Sequence, residues 1–510
     1  MKDNKRSRTE LIPGAVLLLA AMLRINGLFS ELQYDEIWSL QYFIPLDVFK
    51  ILTDLALPNN HPVNTLVLKF LHGISYEPAF LRMGVFLSGL VTVWLAGKIA
   101  ETAGGEKNAK FAAMLLCAVS PALILFSVTA RGYSYQVTGL LLVIYALLRC
   151  ARNETSRYTI AAIVGGGILS CLSVPSGIMF LGTIGVGYLL FAPAKRRFCR
   201  EIMISGGILF ILALGYYLPL YSKLRAGQSW GIAIESVSQW FSFAAKTLLA
   251  QLPPVTALLA IAGIFFYPLL RKLFLLTLLP LVLAIVTKGG PERVYLILTP
   301  VYIIIAGMGF AALLKRFNAQ AKWFWWIFSA GCAFNFFLIP EAWKIPTPTA
   351  DLIRAIQNTP EDTLLIMPAT SGFPILANSR NLNERLEERL HNPLSYLLMI
   401  NTQQGKINGA NEQGGEAMLT VDLPAEYSPE TGGYLYRLTP LTDFDDADKW
   451  LLVIFNRHYG LPKEFIKMPG EKLRLNIWLQ KQYVMFVYRN QQKSIPRFVG
   501  AQYYVLGEKK

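Results

Sequence analysis

Two adjacent carboxylates, Asp35 and Glu36, stand in the stretch Glu31-Leu-Gln-Tyr-Asp-Glu-Ile-Trp38, just past the first membrane-length apolar segment of the chain. Carboxylates beside hydrocarbon are costly, because a low dielectric disfavours the ionised form and offers few donors to the lone pairs. A carboxylate held there has the chemistry of a general base for an acceptor hydroxyl. The same loop carries Glu31, Asp47, Asp54 and Glu77, for which a solvated surface is the simpler reading. Five cations complement them: Lys69, Arg82, Arg131, Lys288 and Arg293. Arg131 lies in Ser127-Val-Thr-Ala-Arg-Gly-Tyr-Ser134, and Gly132 permits a tight bend. Lys288-Gly-Gly-Pro-Glu-Arg-Val-Tyr295 places two cations around a turn at the mouth of a helix, where backbone N–H groups and the helix dipole add attraction for a phosphate. Lys69 reads as an interfacial snorkelling side chain.

The elements that must position these groups are apolar helices. The 510-residue chain is 54% hydrophobic and 16% charged, with a mean hydropathy of +0.40, which marks an integral membrane protein. Residues 1–340 hold 29 Lys and Arg against 14 Asp and Glu, and residues 341–510 hold 19 of each. The net charge of +15 therefore belongs wholly to the apolar part. The bases are spread through short loops without a compact aromatic-interleaved patch, so membrane topology explains them and nucleic acid is not an expected partner.

About eleven transmembrane helices are expected, near residues 11–29, 80–103, 109–128, 133–150, 157–174, 176–192, 201–220, 253–268, 273–287, 293–313 and 322–340. A cytoplasmic N-terminus puts the basic loops inside and the Asp35-Glu36 loop outside. The first span reads as a retained anchor despite Arg24. Residues 61–74 are too short and too charged to span and fit an interfacial helix. Residues 1–340 form the expected transmembrane domain, and 341–510 a periplasmic α/β domain. In the latter, 349–358 reads as a helix; Thr363 to Met367, Trp450 to Phe455 and Leu473 to Tyr488 read as strands. Residues 401–416, rich in Gly and Asn, read as a mobile loop, and His391 and His458 as isolated. The five cysteines show neither a disulfide framework nor zinc spacing, and no nucleotide-binding or zincin motif is present.

An outer acidic group together with several cations suits transfer of a group from a phosphate-activated donor: the carboxylate takes the acceptor proton and the cations stabilise the departing phosphate. At these residues the chain resembles the GT-C superfamily of membrane glycosyltransferases, in the branch of protein O-mannosyltransferases and lipid A aminoarabinose transferases (glycosyltransferase family 39-like). The likeness covers roughly residues 10–340. It rests on the order of Asp35-Glu36, Asn60-His61-Pro62, Arg82, Ser120-Pro121, Ala130-Arg131-Gly132-Tyr133 and Pro291-Glu292-Arg293-Val294-Tyr295.

The resemblance implies a GT-C type polytopic α-helical fold and inverting transfer of a sugar from a polyprenyl-phosphate donor to a hydroxyl of an envelope lipid, glycan or protein. It implies Asp35 as the base, with Glu36 orienting it, binding the sugar or assisting a metal. Arg131, Lys288 and Arg293 become the donor-phosphate residues; Tyr34, His61, Arg82, Tyr133 and Tyr295 line the substrate cavity. For His61, capping of a helix by the Asn-His-Pro turn stands equally beside that role. No cofactor is certain; an acidic pair supports either a hydrogen-bonded base or one side of a divalent metal site. The expected location is a bacterial plasma membrane. Two departures matter: the family's His-Pro-Pro is here His61-Pro62-Val63, and the inserted luminal repeats of eukaryotic protein mannosyltransferases are lacking. A transporter or flippase of lipid-linked sugars, and a polysaccharide polymerase or ligase, are the competing classes. A transporter would place ionisable groups near the midplane and show paired half-repeats.

Overall fold

The computed structural model describes residues 2–30, 32–56, 59–104, 106–156, 158–228, 234–287, 290–317 and 321–337, and nine strands between Leu364 and Leu506. Its contacts divide into two compact units, residues 1–30 with 39–345, and residues 31–38 with 346–510. The helices in chain order begin with α1 (Lys2–Leu28), α2 (Tyr34–Trp38), α3 (Val48–Thr53), α4 (Pro62–His72), α5 (Pro78–Leu81) and α6 (Met83–Gly104). There follow α7 (Lys107–Ala118), α8 (Pro121–Ser127), α9 (Tyr133–Ala151), α10 (Tyr158–Ser173), α11 (Gly177–Phe191) and α12 (Arg200–Tyr217). The rest are α13 (Tyr221–Gln228), α14 (Val237–Gln251), α15 (Pro254–Phe266), α16 (Pro268–Thr277), α17 (Leu279–Thr287), α18 (Leu298–Arg316) and α19 (Ala321–Phe337).

Among the described residues α6, α9, α12 and α18 are long and apolar enough to cross a membrane, and the bent pairs α7 with α8 and α14 with α15 raise the number to six if each is one span. Ile12–Leu28, α10 and α11 are shorter apolar helices. Three expected spans are interrupted, each at a proline. The 109–128 segment bends by 62° at Ser120-Pro121, because proline lacks an N–H and pushes the preceding residue out of the helical region. The 273–287 segment divides between α16 and α17, where Pro280 cannot continue the hydrogen-bond ladder. Likewise the 293–313 segment opens with a 3₁₀ turn, Glu292–Tyr295, after Pro291, and its α-helix starts only at Leu298. The 11-residue α4 is too short to span, as its sequence suggested.

The core of this unit is built around α18, whose residues from Leu298 to Ala312 are nearly all buried. It crosses α15 where Gly309 and Gly263 meet: a Cβ on Gly309 would strike the Leu259 carbonyl oxygen, so only hydrogen fits there. Arg24, a charged residue within the apolar stretch of α1, is fully buried. Its Nε donates to Ser127 Oγ at 2.7 Å, and one terminal nitrogen donates to the carbonyls of Ala20 (2.8 Å) and Ala118 (3.0 Å). The Ala118 oxygen is one of those that the α7 to α8 break leaves without a helical donor.

In the second unit, the strands β1 (Leu364–Pro368), β2 (Leu397–Asn401), β3 (Lys406–Ile407), β4 (Gly415–Ser428), β5 (Gly433–Pro440), β6 (Leu451–Ile454), β7 (Lys472–Gln480), β8 (Tyr483–Tyr488) and β9 (Tyr503–Leu506) form one mixed sheet in the order β3-β2-β1-β6-β9-β5-β4-β7-β8. The expected strands near 363–367 and 450–455 pair in parallel as β1 and β6. The alternating 473–488 stretch forms the β7–β8 hairpin. The expected loop 401–416 differs: β3 lies inside it and β4 begins at Gly415, because Ile407 and the Gly415–Leu419 run find partners in β2 and β7. The expected helix 349–358, His391 and His458 lie outside the described residues.

Candidate active site

The site of the first unit is built at the end of the helical bundle where α1, α8 and α10 finish and α4, α6, α9, α11 and α18 begin. His61 occupies the N-cap position of α4, but its side chain makes no capping bond. The ring is 2% exposed and reaches across to two other elements. His61 Nδ1 lies 3.0 Å from the Ser173 carbonyl at the end of α10, and His61 Nε2 receives Arg131 Nε at 3.2 Å and Arg131 Nη2 at 3.0 Å. A carbonyl only accepts and a guanidinium only donates, so Nδ1 must carry the proton and Nε2 must be bare. The two contacts define one tautomer of a neutral imidazole.

Electrostatics agree with that assignment. Burial, joined by the charge of Arg293 and outweighing the Ser173 hydrogen bond, holds His61 down to about 4. Arg131 is 3% exposed, and burial with the nearby Arg293 charge lowers it to about 10, so it stays cationic at neutral pH. Its guanidinium carbon sits 5.5 Å from the centre of the Tyr133 ring, in cation–π range. Arg293 Nε donates to the Tyr133 hydroxyl at 3.2 Å, and the His61 ring meets Tyr133 edge-on at 5.1 Å. Tyr133 thus gathers Arg131, Arg293 and His61 from three separate parts of the chain.

Local sequence explains how these groups are held. Gly132 is the only residue type that fits between α8 and α9: a Cβ there would strike the Ser173 carbonyl oxygen and come within 2.9 Å of His61 Cβ. Asn64, two residues into α4 from Pro62, is buried and donates to the Ala130 carbonyl at 2.7 Å, fastening the loop that carries Arg131. Asn60 donates to the carbonyls of Ile51 (2.8 Å) and Asp54 (2.7 Å) and accepts from Thr65 Oγ1 at 3.1 Å, which fixes the start of α4. Tyr295, the buried last residue of the 3₁₀ turn that presents Arg293, packs against Phe180 at 6.0 Å and Phe243 at 5.6 Å.

Two of the singled-out cations serve backbone carbonyls. A terminal nitrogen of the fully buried Arg82 donates to the carbonyls of Gly27 (2.9 Å), Leu28 (3.0 Å) and Ser30 (2.6 Å), closing the C-terminal end of α1. Lys69 does not snorkel: its Nζ donates to the carbonyls of Ile44 (2.6 Å) and Leu46 (2.8 Å), just past the π-helical turn Ser39–Phe43. Lys288 lies outside the described residues.

In the second unit the acidic pair opens the short helix α2, with Tyr34 as its first residue and Asp35 and Glu36 in its first turn. Glu36 is fully buried, and its Oε2 accepts from the Gln33 N–H at 2.8 Å while the Gln33 carbonyl accepts from the N–H groups of Glu36 and Ile37. This is the return half of a capping box, in which the third helical residue's carboxylate closes the N-terminus. Glu36 therefore fixes the turn on which Asp35 stands. Among the described residues no group of three or more His, Cys, Asp or Glu side chains could hold a metal ion.

Asn64, Ser173 and Gln251 were not singled out in the sequence. For Asn64 and Gln251 a signal existed, a carboxamide within an otherwise apolar helical segment. Ser173 contributes only its carbonyl, which no residue type reveals.

Residues 61–217 match the family described as dolichyl-phosphate-mannose-protein mannosyltransferase, a stretch that includes His61, Arg131 and Tyr133. The fold is similar to that of ArnT from Cupriavidus metallidurans in the apo state, with a TM-score of 0.50 at 11% identity over 89% of this chain and 93% of that one. ArnT from the same organism bound to undecaprenyl phosphate also gives 0.50 at 11% identity, over 96% and 99%. The oligosaccharyltransferase AglB from Archaeoglobus fulgidus, in complex with an inhibitory peptide and a dolichol-phosphate, gives 0.47 at 12% identity over 94% and 77%. No curated protein sequence matches the chain. The chain thus has a family match over residues 61–217 and a fold similar to that of ArnT over nearly its whole length.

Proposed function

We propose that this chain is an inverting glycosyltransferase that moves a sugar from a polyprenyl-phosphate donor to a hydroxyl of an envelope acceptor at the outer face of a bacterial plasma membrane. The observation that carries the reading is the gathering of Arg131 and Arg293 on Tyr133, with a neutral His61 behind Arg131. The charge of Arg293 is felt at Arg131, so the positive potential at Tyr133 favours an arriving anion. A polyprenyl phosphosugar brings one negative charge. As its anomeric C–O bond breaks, the departing phosphate gains a second, so the cations are more strongly engaged in the transition state than in the bound donor.

In this reading Asp35 removes the acceptor hydroxyl proton, the oxygen attacks the anomeric carbon from the face opposite the phosphate, and the electron pair of the broken bond leaves on the polyprenyl phosphate. Glu36 orients Asp35 through the α2 turn. Lys288 belongs with Arg131 and Arg293 as a phosphate-side cation, and Tyr34 and Tyr295 with the cavity. Support for a lipid-linked donor comes from the family match and from the fold shared with ArnT, whose structure bound to undecaprenyl phosphate is among the neighbours.

The test is reconstituted transfer with polyprenyl-phosphate sugars, guided by mass spectrometry of lipids and envelope glycans from cells with and without the chain. The expected result is one sugar modification lost without the protein and restored by it, but not by Asp35→Asn. Translocation of the lipid-linked sugar without any acceptor or transfer product would instead make the protein a flippase.

A further inference from the structure

Gln251, the last residue of α14, is fully buried and uses both ends of its side-chain amide. Its Nε2 donates to the Glu292 carbonyl at 3.0 Å, and its Oε1 accepts from the Thr299 hydroxyl. Glu292 opens the 3₁₀ turn that carries Arg293, and Thr299 lies in the first turn of α18. One amide therefore ties together the two sides of the turn. We infer that Gln251, locked by Thr299, is the positioning residue that holds Arg293 against Tyr133, and so sets the donor-phosphate site; the second half of this rests on the function proposed above.

Three observations bear on it. A carboxamide with 0% exposure at the foot of an apolar helix is expensive unless both its donor and its acceptor are satisfied, and here each is. A 3₁₀ turn of four residues has few bonds of its own, and it follows Gly290-Pro291, so its register needs an external tether. The tether is attached at the residue directly before Arg293, whereas Tyr295, packed against Phe180 and Phe243, anchors the last residue of the turn. The Oε1 to Thr299 bond also decides which way the amide faces. With the hydroxyl donating to Oε1, Nε2 is left to face the Glu292 carbonyl.

The experiment uses the full chain in lipid nanodiscs and two readouts. Arg293 is half-buried, and its modification by phenylglyoxal, followed by peptide mass spectrometry, reports on its restraint without any ligand. Arg82, fully buried against the end of α1, is the internal control for folding. Gln251→Ala and Thr299→Val are expected to raise the labelling rate at Arg293 several-fold while Arg82 stays protected; Thr299→Ser, which keeps the hydroxyl, should label like the unaltered protein. In parallel, affinity for undecaprenyl phosphate should fall about tenfold in Gln251→Ala, while affinity for the uncharged undecaprenol is unchanged. The double variant Gln251→Ala/Arg293→Ala should bind no more weakly than Arg293→Ala alone. If Gln251→Ala exposes Arg82 as well, Thr299→Val decides the question. Labelling of Arg293 at the original rate in a folded Thr299→Val protein overturns the positioning role. Faster labelling in a protein whose unaltered form does not distinguish undecaprenyl phosphate from undecaprenol leaves the positioning intact and overturns the donor site.

Discussion

His61 Nε2 accepts two guanidinium contacts from Arg131, at 3.0 and 3.2 Å, while His61 Nδ1 is engaged 3.0 Å from the Ser173 carbonyl. The imidazole is thus a neutral bridge between α10 and the Arg131 loop. It has no nitrogen left over for proton transfer, so its contribution is to aim Arg131. His61→Gln, whose carboxamide oxygen can accept from Arg131, should retain most activity. His61→Ala removes the acceptor of two contacts from the buried Arg131 guanidinium and should lower transfer by about ten- to a hundredfold, the range for a lost hydrogen bond to a charged group. Steady-state transfer by the purified pair checks this, and equal activity of the two variants would refute the aiming role.

The same burial makes stability depend on pH. The folded value of about 4 lies below the ordinary 6.5, so between these limits the unfolded chain binds a proton that the folded one excludes. The His61 contribution is therefore complete above pH 6.5 and disappears as pH falls through the window to 4, a difference of roughly 3 kcal/mol. Thermal unfolding in detergent between pH 7 and 4 should show this loss in the unaltered protein and a flatter profile in His61→Gln. Parallel profiles would mean that His61 titrates normally.

Gly132 offers a sharper structural test. Its Cβ position is already occupied by the Ser173 carbonyl and crowded by His61. Gly132→Ala must push α10 away from the α8–α9 junction, at a cost of about 1–3 kcal/mol typical of overpacking. The same shift separates His61 from Ser173, so activity should fall further than the stability loss alone explains. A Gly132→Ala protein with unchanged melting temperature and transfer rate would contradict the close approach.

What the residues disclosed and what they hid follow from range. Asp35-Glu36, His61, Arg131 and Arg293 stood out because charge beside apolar sequence is locally visible. The strands at Leu364–Pro368, Leu451–Ile454 and Lys472–Tyr488 were visible through short β-branched and alternating runs. Hidden were relationships made across the bundle: the Arg82 contacts with carbonyls more than 50 residues away, the Lys69 contacts past the π-helical turn, and the Ser173 carbonyl behind His61. Carbonyls are present at every position, so no pattern of side chains reveals which one a cation will meet. The helix breaks at Ser120-Pro121 and Pro280 were legible in principle, since each proline removes a ladder donor, but apolar length alone reads through them.

Arg82 follows as a stability prediction. One of its terminal nitrogens serves three carbonyls from Gly27 to Ser30 in a fully buried setting. Arg82→Met leaves those acceptors without their donor and should destabilise the protein by about 3 kcal/mol or more. Folded protein recovered from Arg82→Met should nevertheless bind undecaprenyl phosphate nearly as well as before, because these carbonyls belong to the end of α1 and the turn after it. A melting temperature like that of the unaltered protein, joined to lost lipid binding, would move Arg82 into the phosphate site.

Asp35 and Glu36 should separate cleanly despite being neighbours. Glu36 is buried and committed to the Gln33 N–H, so Glu36→Gln, which keeps an oxygen acceptor in place, should preserve the α2 turn and most turnover. Glu36→Ala removes the cap, at a cost of about 1 kcal/mol of local stability, and should lower turnover by loosening the turn under Asp35. Asp35→Asn leaves that cap untouched and removes the proposed proton acceptor. It should keep the melting temperature and donor binding of the unaltered protein while losing transfer by at least the 10²-fold typical of a missing general base. The three variants, compared for melting temperature, undecaprenyl phosphate affinity and turnover, form one experiment. Turnover surviving in Asp35→Asn but not in Glu36→Gln would exchange the two roles, making the capping carboxylate the base.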